Sequence, residues 1–289
     1  MINSQIPQRA GPAPRGALPV YDSDRSRFSA WKDDLLEGLR TAPIWGQLSV
    51  MDTSSEHRRF LLGTLWVPLG MIIFVFALGY VYSYLRNTEF TQFTTYLAAS
   101  MVGWVFMSSS VTQGMSVFVS ARRYIENIRL PLHYHVFKTV SDIALIAVLT
   151  IPTYLLCLVL FPSEVSVSAL LWLPPALLLF LLSSYGMVVC IGLLNLRLRD
   201  IQAPIQNFMR LMFLITPVIW MLESTTGSRR AVFVTYNPFF HYLEIFRAPL
   251  LGYRADPQNW IVALSCTAAL LLLATASMLL FQRRIHFWV

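Results

Sequence analysis

Lysine is nearly absent from this 289-residue chain. Lys32 and Lys138 are its two lysines, and neither follows the glycine spacing of a GxxxxGK[ST] loop, the arrangement whose backbone N–H groups cradle nucleotide phosphates. The chain therefore holds no Walker-type ATPase site of its own. HExxH, GxSxG and CxxC patterns are missing too, so the signatures of a zinc hydrolase, a serine-nucleophile elbow and a dithiol redox centre are absent. Cys157, Cys190 and Cys266 are the three cysteines, each inside an apolar run. An odd, buried set argues against a disulfide framework and for inert core thiols. Charged residues make up 13% of the chain, and the carboxylates near apolar runs, such as Asp142, Asp200 and Glu223, sit at the ends of those runs. An ion-coupled carrier would place ionisable groups at mid-membrane and repeat broken spans.

What the chain has in abundance is apolar sequence, at 56% of residues. Several runs reach the ~20 residues needed to cross hydrocarbon, and no soluble domain of useful size remains once they are removed. Spans are expected near residues 60–85, 93–119, 143–161, 169–194, 201–222 and 260–281. The net charge of +7 follows from arginine in the connecting loops, where cationic residues set orientation, and does not call for nucleic acid, because the basic residues flank hydrophobic runs instead of forming a surface of their own. Arg58, Arg59, Arg122, Arg123, Arg129, Lys138, Arg197, Arg199, Arg283 and Arg284 fall on one side of a six-span topology, which puts both termini in the cytoplasm. Arg229, Arg230, Arg247 and Arg254, in the long connection before the last span, oppose that bias, although longer translocated segments weigh less in the rule. Residues 1–27, rich in Pro, Gly, Arg and Ser, read as a mobile tail without a secretory h-region.

Between tail and first span, residues 29–40 place Trp31, Leu35, Leu36 and Leu39 on one side and Asp33, Asp34, Glu37 and Arg40 over the other. That is the pattern of a helix lying in the membrane interface, continued by Trp45 and Leu48; residues 28–59 form this interface segment and 60–289 the transmembrane domain. The connection 120–141 contains a charged helix, Arg122 to Arg129, with Glu126 spaced to pair at both ends and Pro131 as its stop. It is either a solvated surface helix or a docking surface. His133 and His135 form an HxH with no third ligand nearby, too little for a metal site. Arg210 is the deepest charge and must face a partner, a cavity or the surface. Residues 236–252 (YNPFFHYLEIFRAPLLG) are too short to span and too apolar for a loop. Asn237 is placed to cap and Pro238 to occupy the first helical position, while Pro249 and Gly252 close the unit. At about 100° per residue, Phe239, Leu243, Phe246 and Leu250 fall on one side, and Phe240, His241, Glu244 and Arg247 on the other, which suggests an apolar inner face and a wet vestibule face.

Five segments in consistent order carry a resemblance that extends from about Trp31 to Phe281: HRRFLLGTLWVPLG (57–70), YLAASMVGWVF (96–106), RYIENIRLP (123–131), DIQAPIQNFMRLMFLITPVIW (200–220) and the segment 236–252. Together they resemble the type-2 ABC exporter permeases, in the branch that exports polysaccharides and polyol phosphates such as O-antigen, capsule and teichoic acid. The resemblance implies an all-α integral membrane protein with six transmembrane helices, an N-terminal amphipathic interface helix, a coupling helix at 120–131 and a re-entrant outer segment at 236–252. It also implies two permease copies working with two separate ATPase subunits, which bind the ATP and Mg, while this chain binds no cofactor and performs no covalent chemistry. Arg122, Arg123, Tyr124, Glu126, Asn127 and Arg129 become the expected ATPase contacts. Trp31, Leu35, Leu39, Arg58 and Arg59 would mark the interface where a lipid-linked glycan arrives, in a bacterial inner membrane.

Sugar rings present apolar C–H faces that stack on aromatic side chains without selecting one sequence. Trp66, Tyr80, Tyr84, Trp104, Phe106, Phe213, Trp220, Tyr236 and Tyr242 are accordingly expected along the path, with Phe239, Phe240, His241, Glu244 and Arg247 at an outer gate. Two alternatives stand beside polysaccharide export. A type-2 exporter of drugs or lipids would share the fold, and an integral-membrane glycan-modifying enzyme would need a reactive pair, for which His241 with Glu244 is the nearest candidate.

Overall fold

The computed structural model describes residues 26–56, 63–122, 130–162, 166–221 and 234–288, and among these every regular element is helical. The helices are α1 (Arg27–Arg40), α2 (Ala42–Glu56), α3 (Trp66–Arg86), α4 (Phe90–Gly114), α5 (Val117–Ser120), α6 (Leu132–Leu160), α7 (Val167–Leu170), α8 (Leu173–Arg197), α9 (Gln202–Ile215), α10 (Pro238–Leu250) and α11 (Pro257–Trp288). Four stretches are long and apolar enough to cross a membrane: Gly63–Arg86, Leu132–Leu160, Val167–Arg197 and Pro257–Gln282. They correspond to the first, third, fourth and sixth expected spans.

The second expected span behaves differently. α4 is 25 residues long, enough to cross, but it carries hydroxyl side chains along its length and is buried over most of it. Its hydroxyls turn back onto the carbonyl one turn earlier, Thr94 to Phe90 at 2.6 Å, Ser100 to Tyr96 at 2.8 Å and Ser110 to Phe106 at 2.8 Å. Each polar group thus leaves the helix surface already bonded. α4 is the bundle's central helix, packed on α3, α6, α8 and α10.

The fifth expected span, 201–222, is also shorter than its apolar run. α9 stops after 14 residues, roughly 21 Å at 1.5 Å per residue, where Thr216 turns extended and Pro217 follows. That length falls short of the ~30 Å hydrocarbon core.

α6 begins at Leu132 and not near 143, so the second half of the expected connection 120–141 is helix. Its first turn is capped from elsewhere in the chain. The Asp34 carboxylate on α1 accepts from the backbone N–H groups of Leu132 and His133, each at 3.0 Å, and also meets the His133 ring nitrogen Nδ1. The helical period of residues 29–40 puts Asp34 on a wet face; the structure turns it inward to cap α6. Close approach is possible there because residue 38 is glycine: a Cβ on it would lie 3.0 Å from the His133 Cβ. α2 adds a second tie, since Lys138 of α6 pairs with Asp52 and with Asp142, both at 2.9 Å. His133 is thereby committed to Asp34, and no group of three metal-binding side chains occurs among the described residues.

These contacts give the bundle two ends. α1, α2, the end of α4 and the start of α6 share the proximal end. At the distal end lie the start of α4, the close of α6, the Gly252–Asp256 turn and the start of α11. Residues 1–25, 57–62, 123–129, 163–165, 222–233 and 289 lie outside the described residues.

Candidate functional site at the α4, α9 and α10 junction

α10 forms where the local sequence directs it. Asn237 caps it, its side-chain oxygen accepting from Phe239 N at 3.0 Å, and Pro238 takes the first helical position, where a missing N–H costs nothing. Past the other end, Gly252 has φ 86°, a left-handed geometry that glycine adopts freely. At 13 residues, roughly 20 Å, α10 is too short to cross a bilayer. It is wedged instead among α4, α8 and α11.

The wedge depends on Gly103 of α4. A Cβ at that position would stand 3.0 Å from both Leu243 and Phe246, the two large side chains that α10 presses against α4. Gly103→Ile is expected to push α10 outward at a cost of ~1–3 kcal/mol, the usual penalty for overpacking, read as a lower melting temperature of the purified chain.

Arg247 is the hub of the junction and is 2% exposed. Its Nη1 donates to the Pro217 carbonyl at 2.8 Å, to Ser100 Oγ at 3.1 Å and to the Tyr96 hydroxyl. Its Nη2 donates to the Glu244 carboxylate one turn earlier, and the guanidinium carbon lies 4.3 Å from the centre of the Tyr96 ring. The Tyr96 hydroxyl also reaches the carbonyls of Pro217 at 2.9 Å and Trp220 at 3.1 Å. One side chain therefore ties α10 to α4 and to the break after α9, where buried carbonyls freed from the helix need donors. Asn237 adds to this by donating to Thr216 Oγ1 at 2.8 Å.

The inner face of α10 agrees with the helical period: Leu243 and Phe246 are buried and Phe239 is partly so. The opposite face does not form a wet vestibule as expected. His241 is buried, its ring nitrogens facing Asn259 Oδ1 at 2.7 Å and the Thr235 carbonyl at 2.9 Å. Arg247 is buried by the network above. Glu244 and the edge of Arg247 reach a distal cavity of about 860 Å³. The period reports an amphipathic face, but it cannot distinguish water from a buried polar network. The arrangement also separates His241 from Glu244, because both imidazole nitrogens are engaged with other residues, and so it offers no reactive pair for a glycan-modifying enzyme.

Beside the junction, a groove of about 610 Å³ runs between α4 and α9, lined by Trp104, Ser108 and Thr112 on one wall and Gln206, Arg210 and Phe213 on the other. Trp104 packs against Phe213 at 5.4 Å and Phe239 at 6.0 Å between ring centres. Arg210 is exposed in this groove and donates to Asn207 at 3.3 Å. Of the expected path aromatics the structure gathers Trp104 and Phe213, and Phe239 of the expected outer gate joins them. Trp220 lies close by, its indole N–H donating to the Leu214 carbonyl at 3.0 Å.

The remaining aromatics stand elsewhere. Phe106 and Tyr242 pack on Phe180 in the core, the Tyr242 hydroxyl bonding with Thr267 at 2.6 Å. Phe240 borders the distal cavity. Trp66, Tyr80 and Tyr84 are exposed on α3, Tyr84 at 80%, and Tyr236 is exposed ahead of α10. Ser108, Thr112, Gln206 and Tyr96 did not stand out in the sequence. For the first two a signal existed, because Trp104, Ser108 and Thr112 recur every four residues on one helical face.

At the proximal end, Trp31 and Leu35 are partly buried and Leu39 is exposed. Arg122 is exposed at the end of its described segment, whereas Arg123, Tyr124, Glu126, Asn127 and Arg129, like Arg58 and Arg59, lie outside the described residues.

Helices of membrane length around a hydroxyl-rich central helix, an internal wedge and an open groove define an integral, multi-pass membrane protein. The sequence model of the ABC-2 type transporter family matches residues 55–251. The chain is 21% identical over 234 residues to the O-antigen export system permease protein RfbA of Myxococcus xanthus, covering 81% of this chain and 89% of that protein. It is 21% identical over 206 residues to the protein of the same name from Klebsiella pneumoniae, covering 70% and 79%. The chain belongs to the ABC-2 type transporter family. It is a transporter membrane subunit and not a catalytic enzyme, and its family implies an ABC ATPase as partner.

Proposed function

We propose that this chain is the permease subunit of an ATP-driven exporter that carries a lipid-linked polysaccharide across the bacterial inner membrane, two copies working with two ATPase subunits that bind the ATP and Mg. The observation that carries the cargo is the similarity, over four-fifths of the chain, to a permease named for O-antigen export. The groove supports the same reading. Phe213, backed by the buried Trp104, offers ring surface to sugar C–H groups, and Ser108, Thr112 and Gln206 supply groups able to exchange hydrogen bonds with sugar hydroxyls. In this reading α4 and α9, the latter with the break after it, complete six crossings. Arginine on the proximal side puts both termini in the cytoplasm, and α10 serves as a re-entrant gate at the outer side.

A strain lacking the chain is expected to lose surface glycan and accumulate the lipid-linked polymer on the cytoplasmic face. Unchanged surface glycan together with new sensitivity to amphiphilic drugs would move the assignment to a drug or lipid exporter. ATP-driven motion would reach the permease through Arg122, Arg123, Tyr124, Glu126, Asn127 and Arg129. Replacing Arg122, Arg123 and Glu126 together by alanine is expected to uncouple ATP hydrolysis from export, and full retention of both would remove the coupling role from this segment.

A further inference from the structure

The distal cavity lies apart from the groove. Its α4 residues, Thr91, Gln92, Thr95 and Tyr96, centre roughly 160° around the helix from Met101, Trp104, Ser108 and Thr112 at 100° per residue. Its walls are of two kinds. One is apolar, formed by Leu160, Phe161, Met221 and Leu251, and Leu160 is exposed beside Leu155 and Val159 on the outward face of a membrane-length helix. The other is polar and charged, built from Glu244, Arg247, Tyr253 and Gln92.

The charges on that wall cancel. Glu244 accepts from Arg247 and, through its other oxygen, from the Tyr253 hydroxyl at 3.0 Å. Arg247 spends both terminal nitrogens within the protein, yet its Nε is buried without a partner, and a buried unpartnered donor is costly. The cavity therefore offers a carboxylate with lone pairs to spare, backed by the buried guanidinium of Arg247, and the exposed amide of Gln92, next to exposed apolar surface. A lone anion would meet Glu244, and a lone cation would meet Arg247. We propose that this cavity is a binding site for a zwitterionic phospholipid headgroup, its ammonium held by Glu244, its phosphate accepting from the Gln92 amide on the side where the buried Arg247 guanidinium lies, and its acyl chains lying along the exposed end of α6. The site needs only the membrane setting and stands whatever the cargo of the groove.

The test is native mass spectrometry of the full chain, stripped of lipid and titrated with phosphatidylethanolamine or phosphatidylglycerol. Phosphatidylethanolamine is expected to bind preferentially, and Glu244→Gln to weaken it about tenfold, the scale of one charge-assisted hydrogen bond. Gln92→Leu, which touches none of the Arg247 bonds, serves as the second variant should Glu244→Gln fail to fold, with the same direction expected. Equal binding of both lipids, or binding indifferent to the variants, would mean an ordinary lipid annulus and overturn the site. Two soluble probes complete the test. Displacement of the lipid by sucrose would make the cavity a saccharide site instead, and glycerophosphoethanolamine binding as tightly as the intact lipid would make it a site for a soluble zwitterion.

Discussion

Arg247→Met is expected to be the most damaging single substitution in the described structure. Methionine keeps an unbranched apolar stem like that of arginine but ends short of the guanidinium, and so removes the donors to Tyr96, Ser100, the Pro217 carbonyl and Glu244 together. Two consequences add. Glu244 keeps its charge in a site where only Tyr253 still donates to it, and the carbonyl after the α9 break keeps only its contact with the Tyr96 hydroxyl. Breaking a buried pair by removing one partner typically costs ~3–5 kcal/mol, and because Glu244 is only partly buried and borders the distal cavity the lower end of that range is expected. A drop of that size is a large share of a protein's net stability, so export and the folded yield should fall together.

The compensated variant separates charge from architecture. Replacing Glu244 by Gln in the Arg247→Met background removes the stranded carboxylate and is expected to restore part of the stability. It should restore no export, since the tie from α10 to α4 and Pro217 remains broken. If the single variant melts within about 0.5 kcal/mol of the parent, the range of ordinary surface substitutions, Arg247 is not the hub of the junction.

Much of α10 was readable in the sequence because the signals that start and stop a helix are local. Asn237, Pro238 and Gly252 act within a few residues of themselves. The fate of its polar face was not readable, because each partner lies far along the chain: Arg247 is 151 residues from Tyr96. The same limit explains α6. A start at 143 follows from apolarity alone, since His133, His135 and Lys138 read as a wet loop. The structure buries both histidines and pairs Lys138 with Asp52, another residue from a distant segment. The early end of α9 is a local matter by contrast: apolarity continues through Pro217, Val218 and Ile219, but Thr216 leaves helical backbone as the residue before a proline is disposed to do. The groove was half legible, its aromatics standing out by type while Ser108 and Thr112 hid among the many hydroxyls of α4.

Asp34→Ala is expected to release the N-terminal helix from the bundle. Asp34 does the work of a helix cap at a distance: it accepts from the first N–H groups of α6 and holds the His133 ring, which sits edge-on to Trp31 at 6.3 Å and stacks near Tyr185 at 6.1 Å. Losing a cap costs ~1 kcal/mol, and losing a hydrogen bond to a charged group on a buried partner adds ~1.5–3 kcal/mol. Part of this loss is local, because α1 docks mainly on α6. Trypsin should therefore cut sooner at Lys32 and Arg40 well before the spans unfold, while the melting temperature of the whole chain falls less than the summed cost implies. Asp34→Asn keeps an oxygen for one backbone N–H and should fall between parent and alanine. Asp52→Ala provides the contrast: Asp52 is half exposed, so its ion pair with Lys138 is worth at most ~1 kcal/mol, and α1 should stay docked without it. Equal trypsin protection of Asp34→Ala and the parent would show that Trp31, Leu35 and the close contact at Gly38 hold α1 without the carboxylate. If protection is lost, one carboxylate sets the free energy of opening at the proximal end, where α1 meets the first turn of a helix of membrane-crossing length.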